Sequence, residues 1–448
     1  MTRTAKRTSG FLAASLCAAV LSFLSSCGSE PEDTSTLKLG PEVRVRVVRS
    51  QEVLYHASGA VDLIRAADRR LLFRGELPQI VRVRAVQGKL EFGGRVIDHP
   101  LRVRYRSGSA PSSDVALAEG KAPAERSEQL ATWLKSAPHA PGDGEPTFVV
   151  GAGPAGGGGR APQRYRGGLE FRIDGDRVTV INELPLESYL RGVIANEIPA
   201  KYPVESVRAQ CVASRTYALY SLQRSFPKVF YSTAQFQVYK GVAGEHPAVD
   251  RALLDTHGEV LTYASRLFRT YFHSTCGGQT ASAYEIFDDV EIPPLAGGEC
   301  GACDTKRFHR WEHVLDVRVV EQAMKKRWMQ LGRDVGQLGK LRSVEATSLS
   351  RDGRVLYLRL VHEKGSFEWR GDRFRSAIES VESGTLLSAY FRIEAGTKAG
   401  TFLVRGRGFG HGVGLCQVGT GQLGRDGKSY REILARYYPH AEIRKQPY

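Results

Sequence analysis

One glutamate in this chain stands where a carboxylate is out of place. In PLESYLRGVIANEIPAKYPVESVRAQCVASRTYALYSL, residues 185–222, Leu186, Tyr189, Leu190, Val193, Ile194 and Glu197 recur at three- and four-residue steps. They therefore share one helical face. A carboxyl group on an apolar face is partly stripped of water, which disfavours its charged form. Glu197 is expected to have a raised pKa and to be able to act as a general acid. The same placement also suits a glutamate that caps or salt-bridges a helix end. Arg215 offers a two-pronged contact for a carboxylate, either on a ligand or as an ion pair with Glu197 or a helix end. Farther on, His273 and Cys276 in HSTC precede Cys300 and Cys303 in CGAC. This H-x-x-C plus C-x-x-C pattern suits a tetrahedral zinc site, structural because four protein ligands leave no position for water. A Cys300–Cys303 or Cys276–Cys300 disulfide is the competing chemistry in an oxidising compartment.

The elements that must position these groups are legible around them. Ile198-Pro199 ends the first helix, since proline disfavours α geometry in the residue before it. Pro203 suits the first turn of a second helix, in which Val204, Val207, Cys211, Ala218 and Leu222 form an apolar stripe. Upstream, GLEFRI and RVTVIN flank Asp174-Gly175, a strong hairpin signal. Residues 41–106 alternate apolar and polar positions between turn signals and read as a β-rich module, a barrel or sandwich. Residues 107–164 shift to Ala, Gly, Pro and Ser and read as a flexible insert, with one short helix possible over 125–134. Downstream come helices near Pro247–Thr256, in VVEQAMKKRWMQLG and in SYREILARYYP, with strand-like runs such as EVLTY and VLYLRLVHE between them. The fold class is α+β, with the second domain over 165–448.

At 448 residues the chain can hold two or three domains, and its 42% apolar content excludes wholesale disorder. Lysine and arginine outnumber the acids 63 to 48, giving a net charge of +15 scattered over strand-like segments. Such a surface suits an acidic polymer or an anionic lipid, or is simply a solvated basic face. No zinc-finger, P-loop or helix-turn-helix pattern points to nucleic acid. Arg3, Lys6 and Arg7 precede an apolar run, Phe11–Leu24, too short for a stable span and typical of a secretory signal. The run ends in LSSC, which resembles the lipobox of bacterial lipoproteins. That resemblance implies acylation at Cys27, residues 1–27 being the signal and 28–40 a tether; an ordinary signal peptide cut nearby is the alternative. Of seven cysteines, five remain beyond Cys17 and Cys27, an odd number that fits poorly with a pure disulfide framework.

Four blocks occur in order: PLESYLRGVIANEIPAKYPVESVRAQCVASRTYAL, FQVYKGV, FHSTCGGQT and GRGFGHGVGLCQVGTGQLG followed by SYREILARYYP. Together they resemble the stage II sporulation protein D (SpoIID/LytB) domain family, over roughly Leu169–Tyr438. The resemblance implies a lytic transglycosylase of peptidoglycan, preferring glycan strands stripped of stem peptides, with Glu197 as the catalytic acid and Arg215 as the second family residue. It also implies zinc-binding members that use His and Cys near His273. Other members are described as enhancers of a cell-wall amidase, which makes an amidase a candidate partner and a silent glycan-binding module the rival function. A lipoprotein scaffold whose β module recruits partners is the remaining rival. The glycine-dense block is expected to wall the glycan cleft, with His411 and Gln417 as polar contacts and Gln237 and Tyr239 facing them. The family often has serine at Cys416, so nucleophilic cysteine chemistry is not expected.

The chemistry agrees with that family reading. Breaking a glycosidic bond needs an acid on the leaving oxygen, and hydrolases add a second carboxylate. A lytic transglycosylase dispenses with it, because the sugar's own 6-hydroxyl attacks and one glutamate serves first as acid and then as base. Glu183 and Glu187 are the other candidates. Glu187 lies ten residues before Glu197, about 15 Å along a helix and too far for a glycosidase pair. It reads as a first-turn residue. A peptide-free glycan exposes lactyl carboxylates, giving Arg215 and the basic surface a partner.

Overall fold

The computed structural model describes residues 40–77, 80–105, 137, 146–152, 161–224, 229–233, 236–303, 308–330 and 339–446. The expected signal segment, Cys27, nearly all of the tether and the possible helix over 125–134 lie outside these residues. Among the described residues no helix is long and apolar enough to cross a membrane.

Alternating apolar residues build two facing sheets at the N-terminal end. Strands β1 (Glu42–Ser50), β2 (Glu52–Ala57), β3 (Val61–Arg65), β4 (Leu71–Gly75), β5 (Val81–Val86), β6 (Lys89–Phe92), β7 (Arg95–Ile97) and β8 (Leu101–Tyr105) come from the expected β module. They are joined by β9 (Phe148–Ala152), β10 (Gln163–Tyr165), β11 (Gly168–Asp174), β12 (Arg177–Pro185) and β13 (Phe230–Tyr231). One sheet runs β13-β1-β12-β11-β8-β3-β4 and the other β10-β9-β2-β5-β6-β7. Tyr55 of one sheet meets Phe171 of the other edge to face, with ring centroids 5.5 Å apart, inside a shared apolar core.

Two expectations change here. The apolar run FVVGA forms β9, buried against β2, so the expected insert over 107–164 contains core strand at its C-terminal end. The Ala/Gly/Pro-rich residues around it masked that signal. The expected domain boundary at 165 also falls inside this double sheet, because β12 pairs with β1 from Glu42↔Pro185 to Ser50↔Val178. The β11–β12 hairpin turns where expected, with Gly175 at φ +65°, a conformation glycine adopts without steric cost.

Pro185 leads from β12 directly into helix α1 (Leu186–Glu197), which ends where Ile198 turns to extended backbone before Pro199. Helix α2 (Val204–Arg224) follows. Val207, Cys211, Ala218 and Leu222 pack on the double-sheet core as the stripe predicts, but Val204 is exposed at the first turn. The opposite face, Ala209, Val212 and Ala213, is buried in a second core. α2 is therefore a central helix covered on two sides, and its small residues hide the second side from a periodicity search.

Helices α3 (Pro247–Asp255) and α4 (Ala283–Phe287) come next in the chain. From residue 310 the chain leaves to build a third core from two three-stranded sheets, with helices α5 (Val317–Gln330) and α6 (Gly371–Glu379). It then returns: strand Leu415–Cys416 pairs in parallel with Phe272–His273, and Glu442–Lys445 pairs with Glu259–Tyr263. Helices α7 (Gln417–Arg425) and α8 (Tyr430–Tyr437) pack on α2. α8 opens with a capping box between Ser429 and Glu432.

Candidate active site

α1 delivers Glu197 to the wall of a cleft of about 860 Å³. Leu186, Tyr189, Leu190, Val193 and Ile194 of the same face are fully buried, so the helix cannot rotate its last turn into solvent. Glu197 itself is half-buried. Its Oε1 accepts the Val238 backbone N–H at 2.7 Å, and the Gln417 side chain also stabilises the charged carboxylate. Burial pushes its pKa above the ordinary carboxylate value, an effect these two bonds partly offset. Glu197 is thus a carboxyl group biased toward its protonated form and fixed in orientation, as a general acid needs to be.

The loop carrying Val238 is locked by residues expected to touch substrate. Gln237 is fully buried, accepts the Tyr189 hydroxyl at 3.1 Å and donates to the Ser214 carbonyl at 3.3 Å, tying α1 to α2. Tyr239 is also buried and donates to Asn182 at 2.7 Å. A Cβ on Gly192 would come within 2.6 Å of the Tyr239 ring, so the loop reaches α1 only because that position is glycine. Neither Gln237 nor Tyr239 lines the cleft; both position the backbone donor between them.

Arg215 is engaged within the protein. Its guanidinium is wholly buried and grips Glu187 with two bonds of 2.7 and 2.9 Å, while also donating to the carbonyls of Glu259 and Leu253. The expected carboxylate partner exists, but it belongs to the protein. Glu187 lies in the first turn of α1, and Glu183 sits in β12 beside Arg44 and Arg102.

The opposite wall comes from the glycine-dense block and the third core. His411 lines the cleft, with its ring edge-on to Tyr271, Phe287 and His273. Its Nδ1 accepts the Val413 N–H at 3.1 Å and the ring also bonds the Phe272 backbone. Burial and the charges of Arg354 and Arg375 pull its pKa down to about 4, so it is neutral at pH 7. With its polar contacts taken by backbone, His411 offers the cleft an aromatic surface. Gln417 alone among the four expected polar contacts lines the cleft and touches the acid. Arg269, Arg370, Asp372 and Arg375 also line it, none of them marked by a motif. Gly412, at φ +84°, lies directly on Arg354, whose guanidinium pairs with Asp352 and donates to the Cys276 carbonyl at 2.8 Å. The glycines thus let the third core close onto the cleft.

Cys276, Cys300, Cys303 and Cys416 bring their sulfurs within 4.8 Å of one another, all buried. His273 is not among them. Its Nδ1–H donates to the Val413 carbonyl at 3.0 Å, and the parallel pairing of 272–273 with 415–416 brings in Cys416 instead. The donor set suits a metal. Thiol–thiol contacts with Cys276, Cys300 and Cys416 hold Cys303 well below the usual thiol range. The N–H groups of Cys276 and Gly419 point at the Cys416 sulfur, at 3.3 and 3.4 Å. Arg436 clamps the Cys300 carbonyl, and outer contacts of this kind orient ligands. Four thiols can hold a tetrahedral ion with no open position. The fifth cysteine, Cys211, is apart on α2, its thiol pushed by burial up to about 12. Counting it out would have left this foursome.

The sequence pattern of the stage II sporulation protein (SpoIID) family matches residues 174–263, which hold α1, α2 and Glu197. A domain of unknown function, DUF8618, matches residues 298–414, which include the third core. An uncharacterised protein of Brachyspira hyodysenteriae is 29% identical over 284 residues, 62% of this chain and 72% of that protein. The stage II sporulation protein D of Bacillus amyloliquefaciens is 26% identical, over 59% of this chain and 75% of its own length. An amidase enhancer of Bacillus subtilis is 26% identical, over 56% of this chain and 39% of that protein.

Proposed function

The chain belongs to the stage II sporulation protein D family, and from that premise we propose that it is a lytic transglycosylase cutting the MurNAc–GlcNAc bond of peptide-stripped peptidoglycan strands. The observation that carries this reading is Glu197: a half-buried carboxyl of raised pKa, held by Val238 and Gln417 in a cleft of about 860 Å³. Protonated Glu197 gives its proton to the glycosidic oxygen as the C1–O bond breaks. The muramyl 6-hydroxyl then attacks C1, and the Glu197 carboxylate takes up the hydroxyl proton. The product is a 1,6-anhydro end, no water is consumed, and the glutamate is returned to its starting state. Among the described residues the other carboxylate lining the cleft, Asp372, is engaged by Arg370 at 3.1 Å, which supports single-carboxylate chemistry.

In the same reading the four cysteines hold a structural zinc, and its role is to fix Cys416 and hence the start of α7, where Gln417 meets the acid. The protein acts in the cell envelope, exported and anchored through an acylated Cys27. Digestion of peptide-stripped glycan by wild type and Glu197→Gln, followed by mass spectrometry, tests the reaction. Anhydro ends from wild type alone support it. Reducing ends would mean hydrolysis. Binding without any product would leave a glycan-binding module, consistent with the amidase-enhancer relative.

A further inference from the structure

The cleft wall contributed by the third core carries an arginine that the proposed reaction does not use. Arg375, on α6, is half-buried and lines the cleft that holds Glu197. Its Nε–H donates to the Leu386 carbonyl at 2.9 Å, which fixes the plane of the guanidinium. The acids nearest to it are already engaged. Glu379 accepts the backbone N–H groups of Gly384 and Leu386, and Asp372 pairs with Arg370. Among the described residues Arg375 is in no ion pair, and its two Nη groups carry no hydrogen bond. The other two arginines of the cleft differ. Arg370 is occupied by Asp288, Asp372 and the Ile286 carbonyl, and Arg269 is held by the Tyr271 hydroxyl. Burial acts against the Arg375 cation, with Glu379 and Asp372 giving only partial relief. A planar cation fixed on one edge, with its other donors free in a cleft, is a receptor for a carboxylate.

We infer that Arg375 is the specificity-determining residue that reads the lactyl carboxylate of a muramyl unit, the role its sequence motif had suggested for Arg215. This rests on the glycan reading above. It also explains why the third core folds onto the cleft, since that core supplies the charge that tells a muramyl strand from an uncharged sugar polymer. The two-pronged contact requires a free carboxylate, so a lactyl group blocked as an amide loses it.

The test is binding to peptide-free glycan oligosaccharides and to the same oligosaccharides with every lactyl group converted to its methylamide. Glu197→Gln is the background, so that nothing is cut. The expected result is about tenfold tighter binding of the free acid, falling with salt as a charge contact should. Adding Arg375→Gln makes the two ligands bind alike, with methylamide affinity unchanged. Arg375→Lys, which keeps the charge but not the fork, retains part of the preference and guards against a folding defect in the glutamine variant. Equal loss of both ligands in Arg375→Gln, or an undiminished preference, overturns the assignment. The two proposals fail separately. Anhydro ends from wild type without carboxylate preference would sink only the Arg375 role. A preference that depends on Arg375, without cleavage, would sink only the reaction.

Discussion

Arg215 and Glu187 form a two-bond ion pair, at 2.7 and 2.9 Å, with the guanidinium fully shielded from water. The pair joins the first turn of α1 to the middle of α2, and Arg215 also holds carbonyls at Leu253 and Glu259. It fixes the angle at which α1 carries Glu197 into the cleft. Removing one partner strands a buried charge, which costs about 3–5 kcal/mol. Glu187→Gln and Arg215→Met should each lower unfolding free energy by about that amount in urea. The double variant Arg215→Met with Glu187→Leu should recover much of the loss, and unchanged stability in the single variants would show that the pair does not hold the two helices together.

Glu197→Gln keeps an oxygen for the Val238 N–H and nearly the same shape. It should melt within a few degrees of wild type while glycan cleavage falls by at least about a hundredfold. Melting temperature and product yield, measured on the same preparation, separate loss of chemistry from loss of fold.

The raised pKa of Glu197 fixes the sign of its pH dependence. Below the ordinary carboxylate value both folded and unfolded chains hold the proton, and the group contributes no difference. As pH rises from there to the folded pKa, the unfolded chain loses its proton first, so the folded state carries a growing penalty that is complete above the folded pKa. Wild type should therefore lose stability relative to Glu197→Gln across that window. Cleavage that needs the protonated acid should decline over the same range. Gln417→Leu removes a bond that favours the charged form, so the falling limb of the cleavage profile should move to higher pH.

Asp372 provides the check on single-carboxylate chemistry. Asp372→Asn should retain cleavage within about fivefold of wild type and give the same anhydro ends. Loss as deep as that of Glu197→Gln would mean that the second carboxylate takes part.

Metal content distinguishes Cys416 from His273. Cys416→Ser and Cys276→Ser should lose bound zinc, measured by elemental analysis, and melt several degrees lower. His273→Ala should keep the metal, and cobalt substitution of wild type should give the intense near-ultraviolet absorption of thiolate ligation. Equal metal loss in His273→Ala would restore the His-containing site.

Much of this protein could be read along the chain, wherever local physics decides the outcome. The period of α1, its end at Ile198-Pro199 and the hairpin at Gly175 follow from residue types over a few positions. Glu197 was visible for the same reason, as a carboxylate on an apolar face. What the sequence could not settle were pairings between distant segments. Arg215 looks the same whether its carboxylate belongs to a sugar or to Glu187, 28 residues away. Cys416 joins Cys276 across 140 residues through a parallel strand pairing that has no local signature. The strongest contact to the acid is a backbone N–H, at Val238, which no residue type announces. Arg375 reaches the cleft only because a separate core folds back onto it, held by Arg354 against Gly412. The local sequence determined which groups could do chemistry, while long-range packing decided which of them face the cleft, because burial and charge pairing depend on neighbours brought together only by folding.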